Sequence, residues 1–262
     1  MRYLLGVEDW ESTVRRIRKN AEPVDDTLLV DAYRRAQIVR QQDDWSEATG
    51  RRIEQAPDIR VEAGSESADG YPGMVTISGL VTPQPIVSME RVEQVAQEVR
   101  DGADLMAMAF PEPPYPFEVE VSSDRHKGCS IMAADPNIVV ADIEWRRDPG
   151  FEVVVKFRKA SPVLTVMEMS GRYIVRNGVH RIVGFAMAGI KEFPAFVVPV
   201  RSWPSSPGLF TADIVLGDFP PRIEEFLKIG LYVDVPWKSR TRMWRVIVDE
   251  FLVPWTTEVN TP

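Results

Sequence analysis

The chain has 262 residues, 44% of them apolar, which is enough to build a packed core and too many for a disordered chain. Lys and Arg total 31 against 39 Asp and Glu, a formal net charge of -8 that argues against general nucleic-acid binding, where affinity comes from neutralised phosphates. One cysteine, Cys129, excludes an intramolecular disulfide and a Cys-rich zinc site, and two histidines, His126 and His180, make a His-based metal cluster unexpected.

The N-terminus meets Glu8 and Asp9 too early for the apolar core of a signal peptide. No apolar run approaches the ~20 residues of a membrane span, so a cytoplasmic protein with no membrane partner is expected. Residues 1–62 read as a helical region. Trp10, Val14 and Ile17 fall at helical spacing, and so do Leu28, Leu29, Ala32, Tyr33, Ala36 and Val39. These amphipathic helices could serve a protein partner. Residues 63–73, with Gly64, Gly70, Pro72 and Gly73, read as a linker to an α+β domain spanning 74–262, with an insertion at about 101–160.

A strand at Met74–Ile77 precedes a helix from about Ser88 to Arg100, whose stripe is Val92, Val95, Ala96 and Val99. Pro111 to Pro116 is a stiff loop. Phe117–Val121, Asn137–Trp145 and Phe151–Phe157 read as strands. Ser122 to Cys129 clusters reactive residue types, but its main reading is a solvated loop. Pro204 to Pro207 reads as a loop, Thr211–Leu216 as a strand and Pro221–Ile229 as a short acidic helix. Ser239–Leu252 reads as a C-terminal helix whose interleaved Trp and Arg residues could meet a protein partner or a nucleotide base.

Val163 to Val200 is the segment that carries chemistry. Val163–Met169 and Tyr173–Val175 form a hairpin around Ser170-Gly171-Arg172. Asn177-Gly178 is a second turn, a helix runs from Val179 to Ala188, Gly189 stops it, and Pro194–Val200 is a strand. That helix is apolar nearly all round, hence buried, and its polar side chains, His180 and Arg181, both lie in the first turn. Free backbone N–H groups, the macrodipole and an Arg make such a start a natural anion site. Residues 151–200 hold seven Lys and Arg against three acids, in a chain of net charge -8.

The run Gly171 to Arg181, followed by Ala186, Gly189-Ile190 and Phe193-Pro194, resembles the ParB/sulfiredoxin-like superfamily. Leu80 to Gly102 is similar to the opening of that domain. The resemblance implies a mixed sheet-and-helix core, here with extra N-terminal helices and a C-terminal helix. It implies that Asn177, Gly178, Val179, His180 and Arg181 hold a nucleotide triphosphate such as ATP or CTP, or another phosphorylated small molecule, with magnesium as a possible companion. Val179 stands where sulfiredoxins carry cysteine, so a thiol nucleophile is missing. Asn177 stands where kinase-like members carry Asp. Any catalysis is then phosphoryl transfer or nucleotide hydrolysis, with His180 as proton donor and Glu168 as base or magnesium ligand. One alternative is a non-enzymatic scaffold or interaction module that keeps the fold. A second is a DNA-partition type of binder, which the charge and the missing helix-turn-helix disfavour.

Overall fold

In the computed structural model, residues 1–5, 9–20, 24–42, 46–54, 70–111, 120–124, 128–133, 138–146, 152–159, 163–203, 210–236 and 242–246 are described. In chain order the elements are β1 (Arg2–Leu4), α1 (Trp10–Asn20), α2 (Asp26–Gln42), β2 (Gly50–Arg52), β3 (Tyr71–Thr76), β4 (Ile86–Val87), α3 (Met89–Arg100), α4 (Leu105–Ala109), β5 (Glu120–Asp124), β6 (Gly128–Ala133), β7 (Ile138–Arg146) and β8 (Glu152–Lys159). They continue with β9 (Thr165–Met169), β10 (Arg172–Asn177), α5 (Val179–Met187), β11 (Glu192–Pro199), α6 (Ala212–Leu216), the 3-10 helix Ile223–Leu227, β12 (Tyr232–Asp234) and β13 (Arg242–Val246). The architecture is α+β with mixed and antiparallel sheets. Among the described residues no helix is long and apolar enough to cross a membrane.

The chain divides into two units, one formed by Met1–Pro114 and Ser161–Lys238, the other by Tyr115–Ala160 and Ser239–Pro262. The first holds a five-stranded sheet of order β10-β9-β11-β3-β2 and a three-stranded sheet of order β12-β1-β4. In the larger sheet β11 runs parallel to β9 and antiparallel to β3. The β9–β10 hairpin turns on Ser170 and Gly171, both at positive φ, the backbone that matches the right-handed twist of paired strands. In the second unit β5, β6 and β13 form one sheet and β7 pairs with β8.

α5 is the core helix of the first unit. Val179, Ile182, Val183, Gly184 and Phe185 are buried, and Phe185 meets Phe193 of β11 with ring centroids 6.2 Å apart. Burying a side chain of this kind stabilises by roughly 1.5–3 kcal/mol. Against it lies α3. A Cβ on Gly184 would come within 2.6 Å of the Val95 side chain and 2.9 Å of the Val92 carbonyl oxygen, so only glycine permits this approach.

Several elements correct the sequence reading. The region 1–62 is not wholly helical: Tyr3, Leu4 and Leu5 are buried, and β1 and β2 each join a sheet. It shares one unit with 70–111, so it is not set apart by a linker. The end of that expected linker, Tyr71 to Gly73, is the start of β3, an interior strand. Residues 63–69 and the expected loops at 112–116 and 204–207 lie outside the described residues. The insertion begins later than 101 and is joined by the C-terminal residues in one unit. The expected C-terminal helix is instead strand β13 over Arg242–Val246, paired with β6. Ser122–Asp124 and Gly128–Cys129 are paired strand, not loop. Thr211–Leu216 folds as helix α6 with Thr211 at its N-cap and Gly217 after its last turn.

Candidate functional site

Three pairings show that α3 and α5 run side by side in the same direction. Arg91 acts electrostatically on His180, Val92 and Val95 close on Gly184, and the Arg100 guanidinium donates to the Met187 carbonyl at 3.3 Å. The two N-termini therefore lie at one end of the pair, with their positive dipole ends adjacent. Neither is closed by a side chain. Ser88, the N-cap of α3, makes no side-chain cap bond, and Gly178, the N-cap of α5, has no side chain to offer. Glu90 in the first turn of α3 supplies one exposed negative charge there.

Two basic side chains sit at this end. Arg91 is exposed and has no hydrogen-bond or ion-pair partner among the described residues. His180 is half-buried and likewise has no hydrogen-bond partner among them. Burial, and then the charge of Arg91, push the His180 imidazole down to about 4. At neutral pH it is an uncharged ring with one N–H donor and one acceptor nitrogen. An anion at these helix starts would offset the adjacent positive dipole ends and raise the affinity of His180 for its proton.

The other expected residues point elsewhere. Asn177 donates from Nδ2 to the Val163 carbonyl at 3.0 Å. Gly178 has φ 95, and a Cβ there would lie 1.9 Å from Leu164 Cδ2. The space expected for a ligand beside Gly178 is filled by Leu164. The Arg181 guanidinium, whose affinity for its proton is lowered to about 10 by burial, donates to the Met108 carbonyl at 2.6 Å. It binds the C-terminal end of α4 and does not stand at a rim. Val179 is buried, and its side chain belongs to the core.

Glu168 is separate from this end. Asn177 pairs with Thr165 across the hairpin, while Glu168 pairs with Tyr173, three residues further along β9. At about 3.3 Å per residue that is roughly 10 Å along the strand. Its carboxylate accepts from the Tyr71 hydroxyl at 3.3 Å. Burial, first, and the neighbouring Tyr173 and Glu168 push that hydroxyl up to about 12. Glu168 is thus placed neither to take a proton at the α5 start nor to hold a magnesium ion beside a phosphate there. Among the described residues no group of three His, Cys, Asp or Glu side chains is arranged to hold a metal ion.

The structure thus brings together His180, Arg91, Ser88 and the first amides of α5. Ser88 and Arg91 are not among the candidate ligands that the sequence singles out. Their signal was present, because a basic side chain in a first helical turn opposes the macrodipole and calls for an explanation. No family model, curated protein or solved structure matches this chain.

Proposed function

We propose that the chain binds a phosphate-bearing small molecule, with a nucleotide triphosphate as the leading class, at the shared N-terminal end of α3 and α5. The observation that carries the reading is the parallel packing of two helix starts without side-chain caps, with Arg91 in the first turn of one and His180 in the first turn of the other. Parallel macrodipoles repel, and an anion at their common positive end is the simplest counter-charge. Arg91 supplies the charge, the His180 N–H a directed bond, and the Ser88 hydroxyl and the first α5 amides further donors. The run Gly171 to Arg181 and the Gly189-Ile190 and Phe193-Pro194 pairs, on which the ParB/sulfiredoxin-like resemblance rests, support this reading.

The reading proposed is binding: Glu168, the expected base, pairs three residues along β9 from the partner of Asn177 and is taken up by the Tyr71 hydroxyl. A second reading, a scaffold that keeps the fold, is favoured by one observation: Asn177, Gly178 and Arg181 are all engaged by the chain itself. A thermal-shift series with ATP, CTP, GTP and pyrophosphate, each with and without magnesium, separates the two. Binding to the native state raises apparent stability, by about 2.7 kcal/mol at a hundredfold excess over Kd. A rise with at least one of these ligands supports the site, and a flat series across all of them leaves the scaffold.

A further inference from the structure

We infer that the start of α5 clasps the two chain stems leading into and out of the inserted segment of the second unit, and that a ligand at the α5 start is felt at those stems. The second half of this inference rests on the binding proposed above; the first half does not.

The first unit releases the chain after Pro114 and takes it back at Ser161. The outgoing stem is α4, five residues long and capped by Asp104, whose side chain accepts from the Met106 N–H. A helix this short leaves its last carbonyls without partners inside the helix. Two are answered from outside. The Met108 carbonyl accepts from Arg181 at 2.6 Å, and the Ala109 carbonyl accepts from the Leu164 N–H at 2.8 Å. The incoming stem is Val163–Leu164. The Val163 carbonyl accepts from Asn177 at 3.0 Å, and the Leu164 side chain occupies the space that Gly178 leaves by lacking a Cβ.

Residues 177, 178 and 181 thus hold both stems, and the Ala109–Leu164 bond ties the stems to each other. His180, which faces Arg91, is the residue next to Arg181 on the same helical turn. Arg181 points away from the proposed ligand, so the coupling runs through the shared turn: an anion held by the first α5 amides and His180 steadies the same helical turn from which Asn177 and Arg181 hold the stems. Coupling of this kind is reciprocal, so loosening the stems must change ligand affinity by the same factor.

The test is hydrogen exchange by mass spectrometry on the full chain, read in peptides covering 105–111 and 163–168. Wild type is compared with Arg181→Ala and Asn177→Ala, with and without pyrophosphate or ATP, while calorimetry on the same samples records binding. In a clasp, each substitution speeds exchange in both stems, by about tenfold, the scale of one lost hydrogen bond to a buried carbonyl. If each substitution affects its own stem alone, the clasp is overturned. Should Arg181→Ala fail to fold, Arg181→Lys keeps the charge and one donor, and the same cross-effect is required of it. If calorimetry shows binding and stem exchange does not move, the coupling is overturned and the binding site stands. If no probe binds but the cross-effect persists, the clasp stands and the coupling falls with the ligand reading.

Discussion

Two arginines on different helices of the first unit have opposite fates. Arg40 lies in the last turn of α2, is 3% exposed, and forms an ion pair with the fully buried Glu225, which also accepts from the Arg222 N–H at 2.9 Å. Arg91 lies in the first turn of α3, is exposed and has no ion-pair partner among the described residues. A cation at a helix C-terminus complements the dipole, and a carboxylate then completes a buried pair. A cation at a helix N-terminus opposes the dipole, and the fold gives nothing back for it. The contrast separates a charge consumed in building the molecule from one that the described residues leave unpaired, the charge to which the proposed anion site assigns a role. Arg181 belongs with Arg40, since its first-turn position is accounted for by the Met108 carbonyl.

The sharpest way to break this contrast is to strip Arg40 of its partner. Glu225→Ala leaves a buried guanidinium without a counter-charge and is expected to cost about 3–5 kcal/mol in a denaturation midpoint analysis. An unchanged midpoint would show that the pair is no part of the core. Gly178→Val comes next. It forces a β-branched residue to a left-handed φ and drives a side chain into Leu164, for about 3 kcal/mol in the same assay. Arg181→Ala removes a charged donor from a carbonyl and is expected to cost about 1–3 kcal/mol without any ligand present. A loss below that range would move Arg181 into the company of Arg91.

His180 sharpens the comparison through pH. Its proton is held more weakly in the folded chain, at about 4 against an ordinary 6.5. Between those values the unfolded chain takes up a proton that the folded chain does not, so acidification through this window favours unfolding. His180→Gln should flatten that part of the pH dependence relative to wild type, as seen in paired thermal melts. Saturating pyrophosphate should flatten it in the wild type as well, because a bound anion raises the folded-state value. A wild-type curve parallel to that of His180→Gln would mean the ring is not desolvated by the fold.

Much of the α5 segment could be read from the sequence, because local signals and tertiary demands agree there. Asn177-Gly178, the apolar helix and Gly189 each specify the backbone they adopt. The site itself was only half legible. His180 is a candidate on sequence alone, whereas Arg91 lies in another helix, and periodicity does not reveal which helices pack side by side. Gly178 was read as room for a ligand, when the room belongs to Leu164, a neighbour whose position only the hairpin register defines. The reading failed most at Arg242–Val246. The short run Arg242–Val246 fits either period, and pairing with β6, of which only Gly128–Cys129 falls in the expected loop, decides for strand. At Thr211–Leu216 the apolar run Ile214–Leu216 suggested a strand, while the N-cap Thr211 and the following Gly217 enclose a helix.

Arg91→Ala has the smallest expected effect on the fold, within about 0.5 kcal/mol, as for a surface substitution away from any special feature. For that reason it isolates the central claim. The decisive measurement is calorimetric titration of wild type, Arg91→Ala and His180→Gln with whichever of ATP, CTP, GTP or pyrophosphate gives the largest thermal shift. The account predicts binding to wild type, a loss of at least about tenfold in Arg91→Ala, the scale of one charge-assisted hydrogen bond to phosphate, and a smaller loss in His180→Gln. Equal affinity in wild type and Arg91→Ala would contradict it, because the exposed cation at the paired helix starts would then have no part in holding the anion.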